Sequence, residues 1–226
     1  EQDSRKTLDI ALGLIHAYSD EQAERVQKLE SKIDRYEDEL GTYLVKLNNK
    51  DLSERDSHSV SIMLHCIGDF ERISDHAVNI MESAQELHEK NLSFSPQAKN
   101  ELQVLIAAVS RIVDTAYQVF DKQDLNLTRD VEPLEEIVDE LSKELKRRHV
   151  NRLRLGECTI EMGFILTDLL TSLERIADHC SNIGVSILES SEEDMGRHAY
   201  LHSVKKEDTE NFQDRYEHYR EIYFFE

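Results

Sequence analysis

The sequence predicts an all-α protein, a tandem pair of three-helix bundles followed by a C-terminal helical segment. Three observations carry that reading. Two prolines and seven glycines in 226 residues are too few turn formers for a chain of short strands. Apolar residues recur at alternating steps of three and four, the period of a helix buried along one face. The same pattern, with the same polar residues beside it, then occurs a second time.

Taken in order, helices are expected over 3–18, 21–48 and 54–89, then over 97–121, 129–151 and 157–189. The first is shorter than its partner at 97–121, and the chain has no initiator Met, which together suggest a piece cut inside or just before a helix. The second carries the stripe Val26, Leu29, Ile33, Tyr36, Leu40, Tyr43 and Leu47. The third carries Val60, Leu64, Ile67, Phe70, Ile73, Ala77, Ile80, Ala84 and Leu87. Ser95-Pro96 opens the fourth, a capping hydroxyl followed by the proline that suits the first helical position. Val131, Leu134, Val138, Leu141 and Leu145 mark the fifth. Ile160, Phe164, Leu170, Leu173, Ile176, Cys180, Ile183 and Ile187 mark the sixth. Breaks fall near 49–53, 90–96, 121–130, 149–156 and 189–196. They divide the chain into repeats at 1–95 and 96–190 and a tail at 191–226. In the tail, Phe212, Tyr216, Tyr219 and Tyr223 share one helical face, as expected of a helix packed on its own domain.

Charge narrows the partners. Forty-seven acidic residues against 27 basic give a net charge of -20, which excludes nucleic acid as a guest and disfavours an anionic membrane surface. Cations and basic partners are the natural ligands. No uninterrupted apolar run approaches the ~18 residues of a membrane span. Three cysteines, Cys66, Cys158 and Cys180, form no CxxC pair and fit a reducing compartment.

The internal repeat brings acidic pairs into register. Leu29-Glu30-Ser31-Lys32-Ile33-Asp34 matches Leu134-Glu135-Glu136-Ile137-Val138-Asp139. Glu71-Arg72-Ile73-Ser74-Asp75-His76 matches Glu174-Arg175-Ile176-Ala177-Asp178-His179, and both continue to an Asn-Ile. Four Glu-x-x-x-Asp pairs result: Glu30/Asp34, Glu71/Asp75, Glu135/Asp139 and Glu174/Asp178. The spacing puts both carboxylates on one face about 6 Å apart, and like charges so placed cost a helix about 0.2–0.5 kcal/mol. A hard cation bridging neighbouring helices would reverse the sign of that interaction. Asn79 and Asn182 stand one turn further on as candidate carbonyl ligands. Chance explains a single pair in so acidic a chain, but four in register point to metal.

These segments resemble the two signature helices of the PhoU family and the helices that precede them. The resemblance covers about 1–190 and implies two three-helix bundles related by pseudo-symmetry. It further implies a multinuclear metal cluster on each: Glu30, Asp34, Glu71 and Asp75 around one, Glu135, Asp139, Glu174 and Asp178 around the other. Iron leads as the metal, with zinc, manganese, magnesium and calcium open. Phosphate at the metal cluster is left open. Asp51-Leu-Ser-Glu-Arg-Asp-Ser-His58 departs from the segment that opens the signature helix in free-standing members. His149–Cys158 and Gly68–Arg72 look more like the PhoU-like region appended to bacterial sodium/phosphate cotransporters. The leading expectation is therefore a metal-binding, non-catalytic regulatory domain at the cytoplasmic face of the membrane, with a transmembrane transport domain upstream in the same chain. A free-standing PhoU-type regulator of phosphate uptake is the alternative. A carboxylate-bridged metallohydrolase or oxidase, and a purely structural bundle, stand behind both. A homo-oligomer is left open.

Other constellations weigh less. His76 and His179 follow their Asp directly, point about 100° away from it, and read as packed histidines. Asp194, His198 and His202 share a face but lack the glutamate of a zincin motif. No Gly-rich phosphate loop, nucleophile elbow or Cys/His dyad signature is visible.

Overall fold

The computed structural model describes the backbone of residues 1–195 and 200–225 and the side chains of 1–188 and 211–225. The Asp194, His198 and His202 row lies outside the described side chains. Eight helices and no strand occur among the described residues: α1 (Gln2–Leu14), α2 (Asp20–Asn48), α3 (Glu54–Glu89), α4 (Pro96–Lys122), the single turn α5 (Leu125–Thr128), α6 (Val131–Arg154), α7 (Ile160–Met195) and α8 (Tyr200–Ile222).

Local chemistry sets the boundaries. The Ser53 hydroxyl accepts from the Asp56 amide, Ser95 from Ala98 and Thr159 from Met162, so α3, α4 and α7 each begin on a side-chain cap. At the end of α6, Gly156 adopts φ 73°, and the Glu157 amide reaches back to the Arg152 carbonyl, closing a Schellman turn. Asn91 closes α3 in the same way, with φ 53° and a Leu92 amide donating to the Leu87 carbonyl. The expected break at 189–196 begins too early. Val185 through Met195 contain no glycine or proline, and α7 runs on to Met195.

α1, α2 and α3 pack as one bundle, and α4, α6 and α7 as the other; α3 against α7 is the most extensive helix pair and joins them. Ile73, Ala77 and Ile80 of α3 and Leu169, Leu173, Ile176, Cys180 and Ile183 of α7 are fully or almost fully buried along that seam and its flanks. Each large apolar side chain so placed contributes about 1.5–3 kcal/mol. Polar contacts also cross between repeats. The Tyr117 hydroxyl donates to Ser4 Oγ at 2.9 Å, Ser4 donates to the Phe70 carbonyl at 2.9 Å, and the Phe70 ring meets Tyr117 and Phe120 edge-on. One apolar core is continuous through both bundles.

α8 lies on α6. Tyr219 is buried, Arg215 pairs with Asp130, the Tyr216 hydroxyl donates to Glu140 at 2.6 Å, and the Arg148 guanidinium covers the Phe225 ring. Of the tail's aromatic row, Tyr219 is buried and Tyr216 and Tyr223 are half-buried, while Phe212 is exposed.

Two of the expected stripes are not buried throughout. Tyr36, Leu40 and Tyr43 of α2 are exposed, and the first residues of α1, Gln2 and Asp3, lie beside Ile33, Tyr36 and Leu40. Tyr36 and Leu40 line a groove of about 430 Å³ together with Ile33, Ile67 and Phe70. Ile160 and Phe164 of α7 are also exposed; the row that α7 buries at its start is Met162, Ile165, Leu166 and Leu169.

Candidate metal sites

The sequence-matched carboxylates lie on α2 and α3 in the first bundle and on α6 and α7 in the second. Glu30, Glu71, Asp75, Glu135, Asp139, Glu174 and Asp178 are half-buried, and Asp34 is exposed. Each pair flanks an apolar row that faces the core, which holds the carboxylates at the edge of the helix seam. The seven half-buried ones can neither retreat fully into water nor be covered.

That position raises the proton affinity of Glu71 and Glu135. Burial, then the charge of Asp75 and a hydrogen bond with it, push the Glu71 carboxyl up from 4.5 to about 7; Glu37 adds to the push and Arg72 opposes it. Glu135 is also pushed up to about 7, by burial first and then by Asp139, Glu132, Asp178 and Glu136. Because Asp178 belongs to α7, the second bundle brings carboxylates of two helices within electrostatic reach. In the first, the contribution from α2 comes through Glu37. Glu30 is engaged by its neighbour Ser31, whose hydroxyl donates to it at 3.2 Å.

The two faces differ in their cations. Lys146 on α6 donates across the seam to Glu174 at 2.8 Å, Lys143 donates to Asp139 at 2.9 Å, and Arg175 to Asp178 at 3.1 Å. Among the described residues no ion pair engages Glu30, Asp34, Glu71 or Asp75. Nor do any three His, Cys, Asp or Glu side chains among the described residues close into a ready-made ligand cage.

The asparagines face elsewhere. Asn182 Nδ2 donates to Asp69 Oδ1 at 3.3 Å, and Asn79 Nδ2 lies 3.4 Å from His76 Nδ1. His179 Nδ1 is 2.9 Å from Asp69 Oδ1, and the His76 and His179 rings stack with centroids 5.7 Å apart. Both histidines therefore serve the α3–α7 crossing, and the amide nitrogens of Asn79 and Asn182 join them there. Sequence reasoning missed Glu37, Glu132 and Asp69. Glu37 follows Asp34 by three residues and Glu132 precedes Glu135 by three, spacings that place them on the same helix faces. Asp69 carries no such signal, since its partners come from the other repeat.

Two pseudo-symmetric three-helix bundles, each with acidic pairs along two neighbouring helices, define a class. The chain belongs to the PhoU domain family, whose profile matches residues 2–84 and 102–187. It is 29% identical over 115 residues to the phosphate-specific transport system accessory protein PhoU homolog 1 of Thermotoga maritima. That match covers 51% of this chain and about half, 49%, of the relative's length. It is 25% identical over 186 residues to the corresponding PhoU homolog of Pseudomonas aeruginosa, covering 82% of this chain and 76% of that protein. The crystal structure of PhoU from Pseudomonas aeruginosa superposes with a TM-score of 0.79 at 23% identity, over 85% of this chain and 91% of that one. This last likeness confirms the fold. No helix among the described residues is long and apolar enough to cross a membrane.

Proposed function

We propose that the chain is a PhoU-type regulator of phosphate uptake, an accessory protein and not an enzyme, that binds metal at its two acidic faces. The observation that carries this is the repeat itself: both PhoU matches contain the same carboxylate pairs at the same edge of the bundle. The named relatives are accessory proteins of phosphate-specific transport systems, which favours a separate regulator over a domain appended to a sodium/phosphate cotransporter.

The donor set suits a hard cation. Glu71 and Glu135 hold protons more tightly than ordinary carboxyls, first because they are partly buried and then because negative charge is crowded around them. A bound cation supplies the positive charge that lets such a cluster ionise together. Glu30, Asp34, Glu71 and Asp75 would hold it in the first bundle, with Glu37 beside them. Glu135, Asp139, Glu174 and Asp178 would hold it in the second, with Glu132. Oxygen ligands alone do not choose among iron, manganese, zinc, magnesium and calcium. Phosphate would then be read as an anion attracted to an otherwise acidic surface by that metal.

Metal analysis after gel filtration, on protein reconstituted with iron, manganese or zinc, should find at least one equivalent retained. Metal that binds the folded chain alone stabilises it by about 2.7 kcal/mol at one hundred times its Kd. Chelation should therefore lower the melting temperature of wild type and leave the Asp75→Asn, Asp178→Asn double variant nearly unmoved. Equal shifts for both proteins at fixed ionic strength would show that these pairs are not the metal site.

A further inference from the structure

The α3–α7 crossing is not symmetric, and the difference falls outside the carboxylate pairs. The alignment that matches Glu71 with Glu174 also matches Asp69 with Ser172. At one corner Asp69 Oδ1 lies 2.9 Å from His179 Nδ1 and accepts from Asn182 Nδ2 at 3.3 Å. At the other, the matching His76 and Asn79 share a cleft with Ser172, whose side chain is shorter than aspartate and carries no charge. That cleft has a volume of about 320 Å³ and is lined by His76, Asn79, Glu82 and Glu86 of α3 and by Asp168 and Ser172 of α7. Its size is at the lower end of small-molecule sites.

Two independent observations say what kind of guest suits it. Ser172 is only 5% exposed, yet its hydroxyl makes no hydrogen bond among the described residues. A hydroxyl so buried ordinarily has a polar partner, and this one opens on the cleft. The second observation is charge. Glu86 is neutralised by Lys90 at 2.7 Å, but neither Glu82 nor Asp168 engages a cation among the described residues. These two carboxylates come from different helices, and among the described residues no three His, Cys, Asp or Glu side chains converge to hold one metal ion. A ligand with two separated positive charges meets them where a single ion does not.

Each carboxylate also has a neutral oxygen beside it. Asn79 stands three residues before Glu82 and Ser172 four residues after Asp168, so each pair shares a helix face. Asn79 turns its amide nitrogen to His76 Nδ1 at 3.4 Å, which leaves its side-chain oxygen as an acceptor. An ammonium has three donors and no acceptor, and a carboxylate with a neighbouring neutral oxygen suits it. We propose that this cleft binds an aliphatic diamine or polyamine, one ammonium on Glu82 and Asn79 and a second on Asp168 and Ser172. The site uses none of the eight carboxylates assigned to metal and stands whether or not the chain regulates phosphate uptake.

Calorimetric titration of the metal-free chain with putrescine, two ammonium groups on a four-carbon stem, tests this. It is run at pH 7 and an ionic strength of about 0.15 M, where diffuse surface attraction is largely screened. One saturable equivalent should bind, and butylamine, with the same stem and one charge, should bind about fivefold more weakly. The Glu82→Gln, Asp168→Asn double variant should lose about fivefold or more in affinity, the scale of one or two exposed ion pairs. Both residues are exposed, so the amides leave the packing unchanged, and melting curves verify it. Ser172→Ala should weaken binding about threefold. The Glu21→Gln, Asp38→Asn control removes the same charge from exposed positions on α2 and should bind as wild type does. Absence of saturable binding would mean that water alone fills the cleft, and it overturns the proposal. Equal affinity for butylamine, an equal loss in the control, or unchanged affinity in Ser172→Ala overturns it too.

Discussion

The two bundles share a helix skeleton but differ in what covers it and in what neutralises it. In the second, α4 is 27 residues long, and its first turns bury Ala98, Leu102 and Leu105 beside α6. Glu101 on the same turns is 4% exposed and binds Arg148 and Arg152. In the first, α1 has 13 residues, and the matching length of α2 has no such partner among the described residues. Leu145 is fully buried while Leu40, at the matching position, is 46% exposed. Among the described residues, α8 adds a further layer over α6. The acidic faces diverge in parallel. Lys143 and Lys146 occupy positions matched in the first repeat by Asp38 and Gly41, so the second face carries its own ammonium groups and the first does not. A repeat can thus preserve its helix geometry while its two copies present different surfaces.

The sharpest way to break the packing half of that comparison is to truncate matched leucines. Leu145→Ala should cost about 2–5 kcal/mol, the range for emptying a buried leucine site. Leu40→Ala should cost within about 0.5 kcal/mol, as for an exposed position without a special role. Urea unfolding of the two variants measures both. Similar losses would mean that the α2 face is covered in solution.

A pH series addresses the electrostatic half. Glu71 and Glu135 are held near 7 in the fold against 4.5 ordinarily. Between those values the folded chain carries protons that the unfolded chain has released, so stability falls as pH rises through that window. The penalty is absent below 4.5 and complete above 7. Metal-free protein should therefore melt some degrees lower at pH 8 than at pH 5 from this cause. His76, whose burial favours its neutral form, works in the opposite direction. The Glu71→Gln, Glu135→Gln double variant isolates the carboxyls: its melting temperature should lose less between pH 5 and pH 8 than that of wild type. An equal loss would place the proton uptake elsewhere.

Much of this was legible in the sequence because it is local. The capping serines, Pro96 and the three-four apolar spacing act within a turn or two, and they located the helices within a few residues of where they lie. The repeat placed the four acidic pairs on matching helices. What stayed hidden depends on distant partners. Tyr36, Leu40 and Tyr43 have as good a stripe as Leu134, Val138 and Leu141, and only the packing of other helices against them decides which is buried. Lys146 reaches Glu174 on another helix, and Asp69 meets His179 on another repeat. Neither contact leaves a periodic trace along the chain.

The smallest expected effect is also the one most specific to the asymmetry. Lys146 is exposed enough that its pair with Glu174 contributes no more than about 1 kcal/mol, and removing it should scarcely alter stability. Its influence on a cation at the second face is more direct. An incoming metal must displace the ammonium from Glu174 or bind beside its positive charge, and both weaken binding. Lys146→Met keeps most of the aliphatic stem and removes the charge, so the second face should then bind metal up to about fivefold more tightly, the equivalent of that 1 kcal/mol. The first face, with Gly41 at the matching position, has no such constraint and should fill first in wild type. Titration with manganese of the Asp75→Asn variant, in which the second face is the intact one, measures this with and without Lys146→Met. Unchanged affinity would mean that the lysine swings clear when metal arrives. Weaker affinity would make Lys146 a support for the ligand geometry of Glu174 and not its competitor.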